Sequence, residues 1–177
     1  INVETLVFKF SDGKCGTQVE IKDSNEYENS SIKDFLIKNN YDLVEEFIYQ
    51  HPDLNQLSPS AVNTVRIITQ LNTNDDVVIL GARLRISVNS KVDNMAAGNL
   101  AAPIDEKTGI VNGPGVFSDI TKTECEVHPV TGVKIVGFQV PLWEETIDMV
   151  KKAAKHHPQN RSIGWDIVIT ENGPGLI

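Results

Sequence analysis

Thr64-Val65-Arg66-Ile67-Ile68-Thr69-Gln70-Leu71, then Asn72-Thr73-Asn74-Asp75-Asp76, then Val77-Val78-Ile79-Leu80-Gly81-Ala82-Arg83-Leu84-Arg85-Ile86-Ser87-Val88, is the stretch that decides the fold class. Both flanks are rich in β-branched residues, and the short polar run between them favours a turn. The pattern predicts strands over 64–71 and 77–88 joined as a hairpin. Three of the four arginines of the chain, Arg66, Arg83 and Arg85, fall on it. Arg83 and Arg85 are two apart and share one strand face. Whether Arg66 lies on that same face depends on register, because a slip of one residue exchanges the faces.

Outward from this hairpin the chain mixes strand and helix signals. Towards the N-terminus, residues 3–10 alternate in part, Ser11-Asp12-Gly13-Lys14-Cys15-Gly16 reads as a turn, and residues 17–21 alternate again. That predicts a second hairpin with a glycine-rich tip. Ser30 or Ser31 caps a predicted helix over 32–39, with Ile32, Phe35 and Leu36 as its apolar stripe. Residues 42–49 read as a short apolar strand and His51-Pro52-Asp53 as the start of a connector, after which composition shifts.

Towards the C-terminus, residues 90–119 are rich in Gly, Ala and Asn and read mainly as irregular. Residues 127–136 suggest a turn between short extended pieces. Pro141-Leu142-Trp143-Glu144-Glu145 opens the clearest helix, with Lys151, Lys152 and Lys155 towards its end and Pro158 as its stop. Residues 164–170 predict a strand, Glu171-Asn172-Gly173-Pro174-Gly175 a tight turn, and Leu176-Ile177 a returning strand. The expected class is α+β, as one domain or two small lobes sharing a core. A chain that stops inside a strand is expected to be part of something longer.

The 177 residues are 40% hydrophobic but only 6% aromatic, so the core must be mostly Val, Ile and Leu. Apolar runs such as Val77-Val78-Ile79-Leu80 are too short to cross a membrane. A net charge of −8 makes nucleic acid and anionic membranes poor partners. Cys15 and Cys125 lie far apart, outside any CxxC pattern, and read as free thiols of a cytoplasmic protein. Ile1-Asn2-Val3-Glu4 shows no secretory pattern. His51, His128, His156 and His157 show no metal spacing, and no GxSxG, Walker A or HExxH motif occurs.

Four features could carry chemistry, and each has a plainer reading. Lys9, on a strand beside the Gly13/Gly16 tip, could set a charge and backbone N–H groups against phosphate oxygens; otherwise it is a surface lysine beside an ordinary turn. The hairpin arginines could clamp phosphate or carboxylate; otherwise they decorate a solvated sheet face. Asp166, in the apolar run Ile163-Gly164-Trp165-Asp166-Ile167-Val168-Ile169, could hold hydrated Mg²⁺; otherwise it pairs with a cation or caps a loop. One acid of Glu45-Glu46 could read an adenine amino group; otherwise it is a solvated edge.

The order of these features resembles the ATP-grasp superfamily. His51-Pro52-Asp53-Leu54, Ser60-Ala61-Val62-Asn63-Thr64-Val65-Arg66-Ile67, His128-Pro129-Val130-Thr131-Gly132 and Gly164-Trp165-Asp166-Ile167 resemble its sugar-transfer-associated family, itself similar to glutamate-ligase-like proteins. The resemblance implies an ATP-grasp fold with a small lobe over 1–49 and a C-terminal lobe over 50–177. It implies that Lys9 meets the α/β-phosphates, that the Gly13 to Gly16 tip closes over them, that Glu45 reads adenine, and that Phe47 and Ile48 supply hinge backbone. It places Arg66 and Arg85 on the transferred phosphoryl group, with Arg83 the looser match, and makes Asp166 a Mg²⁺ ligand.

The family pattern also has a lobe before Lys9 and a Glu and an Asn on the strand that begins at Leu176. This chain carries neither, so alone it is expected to be inactive. The implied cofactors are ATP and Mg²⁺. The implied reaction is ATP-dependent activation of a small-molecule carboxylate as an acyl-phosphate, followed by attack of a nucleophile. The family name alone suggests cell-surface polysaccharide biosynthesis. The alternatives are a non-catalytic nucleotide-binding or structural module, or a binding domain that shares only the fold.

Overall fold

The computed structural model describes residues 4–11, 19–26 and 29–177. The chain divides into two compact units, 1–49 and 50–177.

In the first unit, strands β1 (Thr5–Lys9), β2 (Glu20–Asp23) and β3 (Leu43–Glu46) form an antiparallel sheet in the order β2-β1-β3. Helix α1 (Asn29–Asn39) covers it. Leu6, Phe8 and Ile32 are buried between them, with Phe35, Leu36, Tyr41 and Val44 packed around. The rings of Phe8 and Phe35 meet edge to face at 4.8 Å. The predicted Gly13/Gly16 tip and Cys15 lie outside the described residues.

The second unit is built on five antiparallel strands, β4 (Val65–Leu71), β5 (Val77–Ile86), β6 (Leu100–Ile104), β7 (Ser162–Thr170) and β8 (Gly173–Leu176), ordered β6-β5-β4-β7-β8. Alternation along each strand sorts the side chains. Val65, Ile67, Leu84, Ile86, Ile167 and Ile169 are fully buried on the inner face. Helix α3 (Trp143–His156) adds Trp143 and Val150 to that core, and the irregular segments add Val111, Ile135 and Val140.

Several expectations need correction. Residues 52–57 are not connector but helix α2 (Pro52–Leu57). Pro52 occupies its first turn, where a missing N–H costs nothing, and the His51 ring accepts a hydrogen bond from Asp53 N–H at 3.3 Å. Strand β6 lies inside the segment read as irregular. Strand β3 ends at Glu46 rather than continuing to residue 49. Helix α3 starts at Trp143, because Leu142 sits in the left-handed region at φ 50°. The returning strand begins at Gly173, whose φ of 131° closes a tighter turn than expected.

A polar cluster pins the strand ends beneath the outer face. Buried Asn63 donates to Ser58 O at 2.7 Å and accepts from Ser87 N–H at 2.8 Å. Buried His128 contacts Ser87 O through Nε2 at 2.9 Å, and its Nδ1 accepts from Thr131 N–H at 3.1 Å. Two motif stretches singled out from the sequence thus meet in a load of buried hydrogen bonds, where each lost partner would be costly.

Gly109 is required by close approach. Its φ is 74°, and a Cβ there would lie 2.4 Å from Trp143 Cγ. Gly109→Ala is therefore expected to cost about 3 kcal/mol in urea unfolding. Gly81→Ala, where nothing lies within 4 Å of a built Cβ, is the control. It should stay within about 1 kcal/mol of the parent.

Candidate functional site

The outer face of the five-stranded sheet carries the charge. Register places Arg66 on β4 directly opposite Arg83 on β5 and directly opposite Asp166 on β7. Arg85, two residues beyond Arg83, falls on the same face. A β-bulge secures this. Ile68 pairs with Gly81 but Thr69 pairs with Ile79, so Leu80 is left without a partner. The extra residue reverses the inside–outside alternation of β5. Ile79 therefore faces the core on one side of the bulge and Ala82, Leu84 and Ile86 face it on the other, which sends Arg83 and Arg85 outward.

Arg66 grips Asp166 with two parallel hydrogen bonds, Nε to Oδ1 at 2.5 Å and Nη2 to Oδ2 at 2.7 Å. Arg85 Nη1 approaches Asp166 Oδ1 at 3.3 Å, and Arg85 Nη2 donates to Asp93 Oδ1 at 2.9 Å. Asp93 is buried and its other oxygen accepts from the backbone N–H of Thr64 at 2.8 Å and from the Thr64 hydroxyl. The result is an alternating chain, Arg66–Asp166–Arg85–Asp93. The Asn99 side chain holds the loop that carries Asp93, accepting from Val88 N–H at 2.7 Å and donating to Val92 O at 2.6 Å.

Arg66, Arg83, Arg85 and Asp166 line an open pocket of about 380 Å³ with Asn94, Met95 and Ala101. Burial alone would push the Asp166 carboxyl up, but hydrogen bonding and charge from Arg66, then Arg85, outweigh it and hold the group below its usual range. The hydrogen bond to Asp166 in turn raises Arg66 further above its already high value.

The structure thus brings Arg66, Arg85 and Asp166 together and adds Arg83. In the first unit, Lys9 and Glu45 form an ion pair, diagonal across β1 and β3. Phe47 and Ile48 follow β3, and the Phe47 N–H donates to Thr5 O at 3.1 Å. Gly13 and Gly16 lie outside the described residues. Sequence reasoning missed Asp93, which sits in a loop rich in Asn and Ser; its only signal is an isolated acid after Lys91 and Val92.

The second-unit donor set suits an oxyanion better than a divalent cation. Both oxygens of Asp166 already accept from guanidinium groups. Among the described residues no cluster of three His, Cys, Asp or Glu side chains could hold a metal ion. As arranged, the Asp166 carboxylate is engaged by arginine on both oxygens.

A mixed α/β architecture with antiparallel sheets, and arginines converging on one sheet face, is consistent with an ATP-grasp domain. The family model for sugar-transfer associated ATP-grasp proteins matches residues 7–177, and the chain belongs to that family. Membership ties it to ATP-dependent, ligase-like function related to sugar transfer. No curated protein and no solved structure matches the chain significantly. No described helix is long and apolar enough to cross a membrane.

A lowered carboxyl gives a signed pH dependence. Asp166 loses its proton more readily in the folded than in the unfolded chain. Its stabilisation is complete above the ordinary carboxylate value near about pH 4 and disappears as pH falls through the lowered folded value. Asp166→Asn should therefore weaken the protein by about 1–2 kcal/mol at neutral pH, discounted for solvent exposure. The acid limb of its stability curve should be shallower. Urea midpoints across the acid range measure both effects.

Proposed function

We propose that the chain is the ATP-handling part of a cytoplasmic, ATP-dependent carboxylate ligase that works through an acyl-phosphate in cell-surface polysaccharide biosynthesis. The observation that carries this reading is the convergence of Arg66, Arg85 and Asp166 on one pocket in a chain of this family. A carboxylate oxygen of the small-molecule substrate attacks the γ-phosphorus of ATP. The bond to the β–γ bridging oxygen breaks and ADP leaves. An amine or another nucleophile then attacks the acyl carbon, expels phosphate and gives up its proton. Such chemistry asks a protein for positioning and charge rather than a nucleophilic side chain.

In this reading Arg66 and Arg85 neutralise charge on the transferred phosphoryl group, and Asp166 orients both guanidinium groups. By the family pattern Lys9, Gly13 and Gly16 serve the nucleotide phosphates, Glu45 the adenine amino group, and Phe47 and Ile48 the hinge backbone. Asp166 as a Mg²⁺ ligand is supported by the family pattern and not by the donor geometry described above.

Mg-ATP should raise the melting temperature, as any ligand selective for the folded state does. Lys9→Ala should weaken ATP binding about tenfold in calorimetry with the fold intact, the worth of one charged contact. In the full-length protein Arg85→Ala should lower ADP release with an accepted carboxylate about 100-fold while ATP affinity changes far less. Unshifted melting of the full-length protein with Mg-ATP overturns the reading. Binding without turnover in any carboxylate screen of the full-length protein points instead to a nucleotide-binding module.

A further inference from the structure

We infer that helix α3 is the contact surface of a homodimer, in which two copies of this chain set their α3 helices side by side and antiparallel about a two-fold axis. The inference goes beyond the ligase reading and does not depend on it. Helix α3 sends Trp143, Thr146, Val150 and Ala154 into the core. Its solvent side carries charge in two blocks. Glu144, Glu145 and Asp148 occupy the N-terminal half and Lys151, Lys152 and Lys155 the C-terminal half, and all six are exposed. The helix dipole accounts for Glu144 and Glu145 in the first turn and for Lys155 in the last. It does not account for Asp148, Lys151 or Lys152, because its influence falls off within the terminal turns.

Within one helix the blocks are unfavourable. Glu144 and Asp148 are four residues apart, as are Lys151 and Lys155, and like charges at that spacing repel. Pairing Asp148 with Lys151 or Lys152 would relieve them internally. That pairing is not formed, and among the described residues none of the six enters an ion pair. A second α3 running the other way presents the blocks in reverse order. Glu144 and Lys155 lie equally far from the midpoint between Met149 and Val150, and so do Asp148 and Lys151. At the helical repeat these four side chains fall within about 60° of one another around the axis. One two-fold axis at that midpoint therefore sets both acids of one copy against both lysines of the other, and each contact occurs twice. A contact of this kind closes at two copies. Helix α3 packs on the inner face of the sheet and the arginines leave its outer face, so the pairing keeps the pocket at Arg66 and Arg85 open. One polar helix face is a small interface, which commits the dimer to being weak and sensitive to salt. An anionic surface fits the helix less well, since Glu144, Glu145 and Asp148 would meet it beside the lysines.

The test is sedimentation equilibrium of the full-length protein at concentrations up to the order of 1 mM. A monomer–dimer equilibrium is expected at low salt, and about 1 M salt should weaken it about tenfold or more by screening the contacts. Lys151→Glu/Lys155→Glu and Glu144→Lys/Asp148→Lys each set like charge against like across the axis. Each double variant should weaken self-association about 30-fold or more. Urea midpoints near the parent's check that both remain folded. Mixed in equal amounts, the two variants should associate more tightly than the parent, because one stripe is then wholly acidic and the other wholly basic. A merely solvated helix face would not give that result. Lys91→Glu/Lys134→Glu, an equal charge change away from α3, should leave the dimer unaltered. The inference is overturned by a parent that stays monomeric throughout, by a dimer that neither α3 variant weakens, by an equal loss in the Lys91/Lys134 variant, or by a mixture that associates no better than either variant alone. Binding of the parent to phosphatidylglycerol vesicles without self-association would assign the lysines to an anionic surface and overturn it too.

Discussion

One unpaired residue, Leu80, governs what the second unit can do. Strand alternation is rigid, so a face is either core or surface along its whole length unless an extra residue resets it. Up to Ile79 the odd positions of β5 face inward; from Ala82 onward the even positions do. The reset lets Ala82, Leu84 and Ile86 enter the core while Arg83 and Arg85 leave it. Without it, either two guanidinium groups would be buried against Ile67 and Val65 or the apolar residues would face water, and neither arrangement is tolerable.

Given that parity, the charged face is ordered by local pairing. The Arg66–Asp166 contact is partly solvated, with side-chain exposures of 43% and 29%, which discounts its energy, and its larger effect is to fix direction. The Arg85–Asp93 contact is drier, at 19% and 10%, and is anchored through Thr64 to the start of β4. A guanidinium held by a carboxylate that is itself held by backbone has few orientations left. That is preorganisation, the property a charge-stabilising site needs before its ligand arrives.

The turn at Asn72–Asp76 was legible because its polar residues sit between two β-branched runs, and the Asn72 side chain does accept from Asn74 N–H and Asp76 N–H. That Arg83 and Arg85 share a face followed from spacing alone. That Arg66 joins them did not, because the bulge at Leu80 leaves no mark except a neighbouring glycine. Strand β6 was hidden by Ala101, Ala102 and Pro103, which are poor strand formers placed there by pairing with β5. Helix α2 could have been found, since His51-Pro52-Asp53 is a helix start as well as a turn. Asp93 had no periodic context to mark it, and only the tertiary fold shows what it touches.

The alternating charges have a kinetic meaning. Two cations and two anions linked by contacts of 2.5 to 3.3 Å cancel one another's field within a short distance. A chain with net charge −8 therefore offers an approaching anion no long-range attraction from this face beyond one residual cation. Encounter there gains nothing from steering, and added salt acts on it by screening the repulsion of the acidic chain, whereas retention is decided only after the anion has touched the sheet.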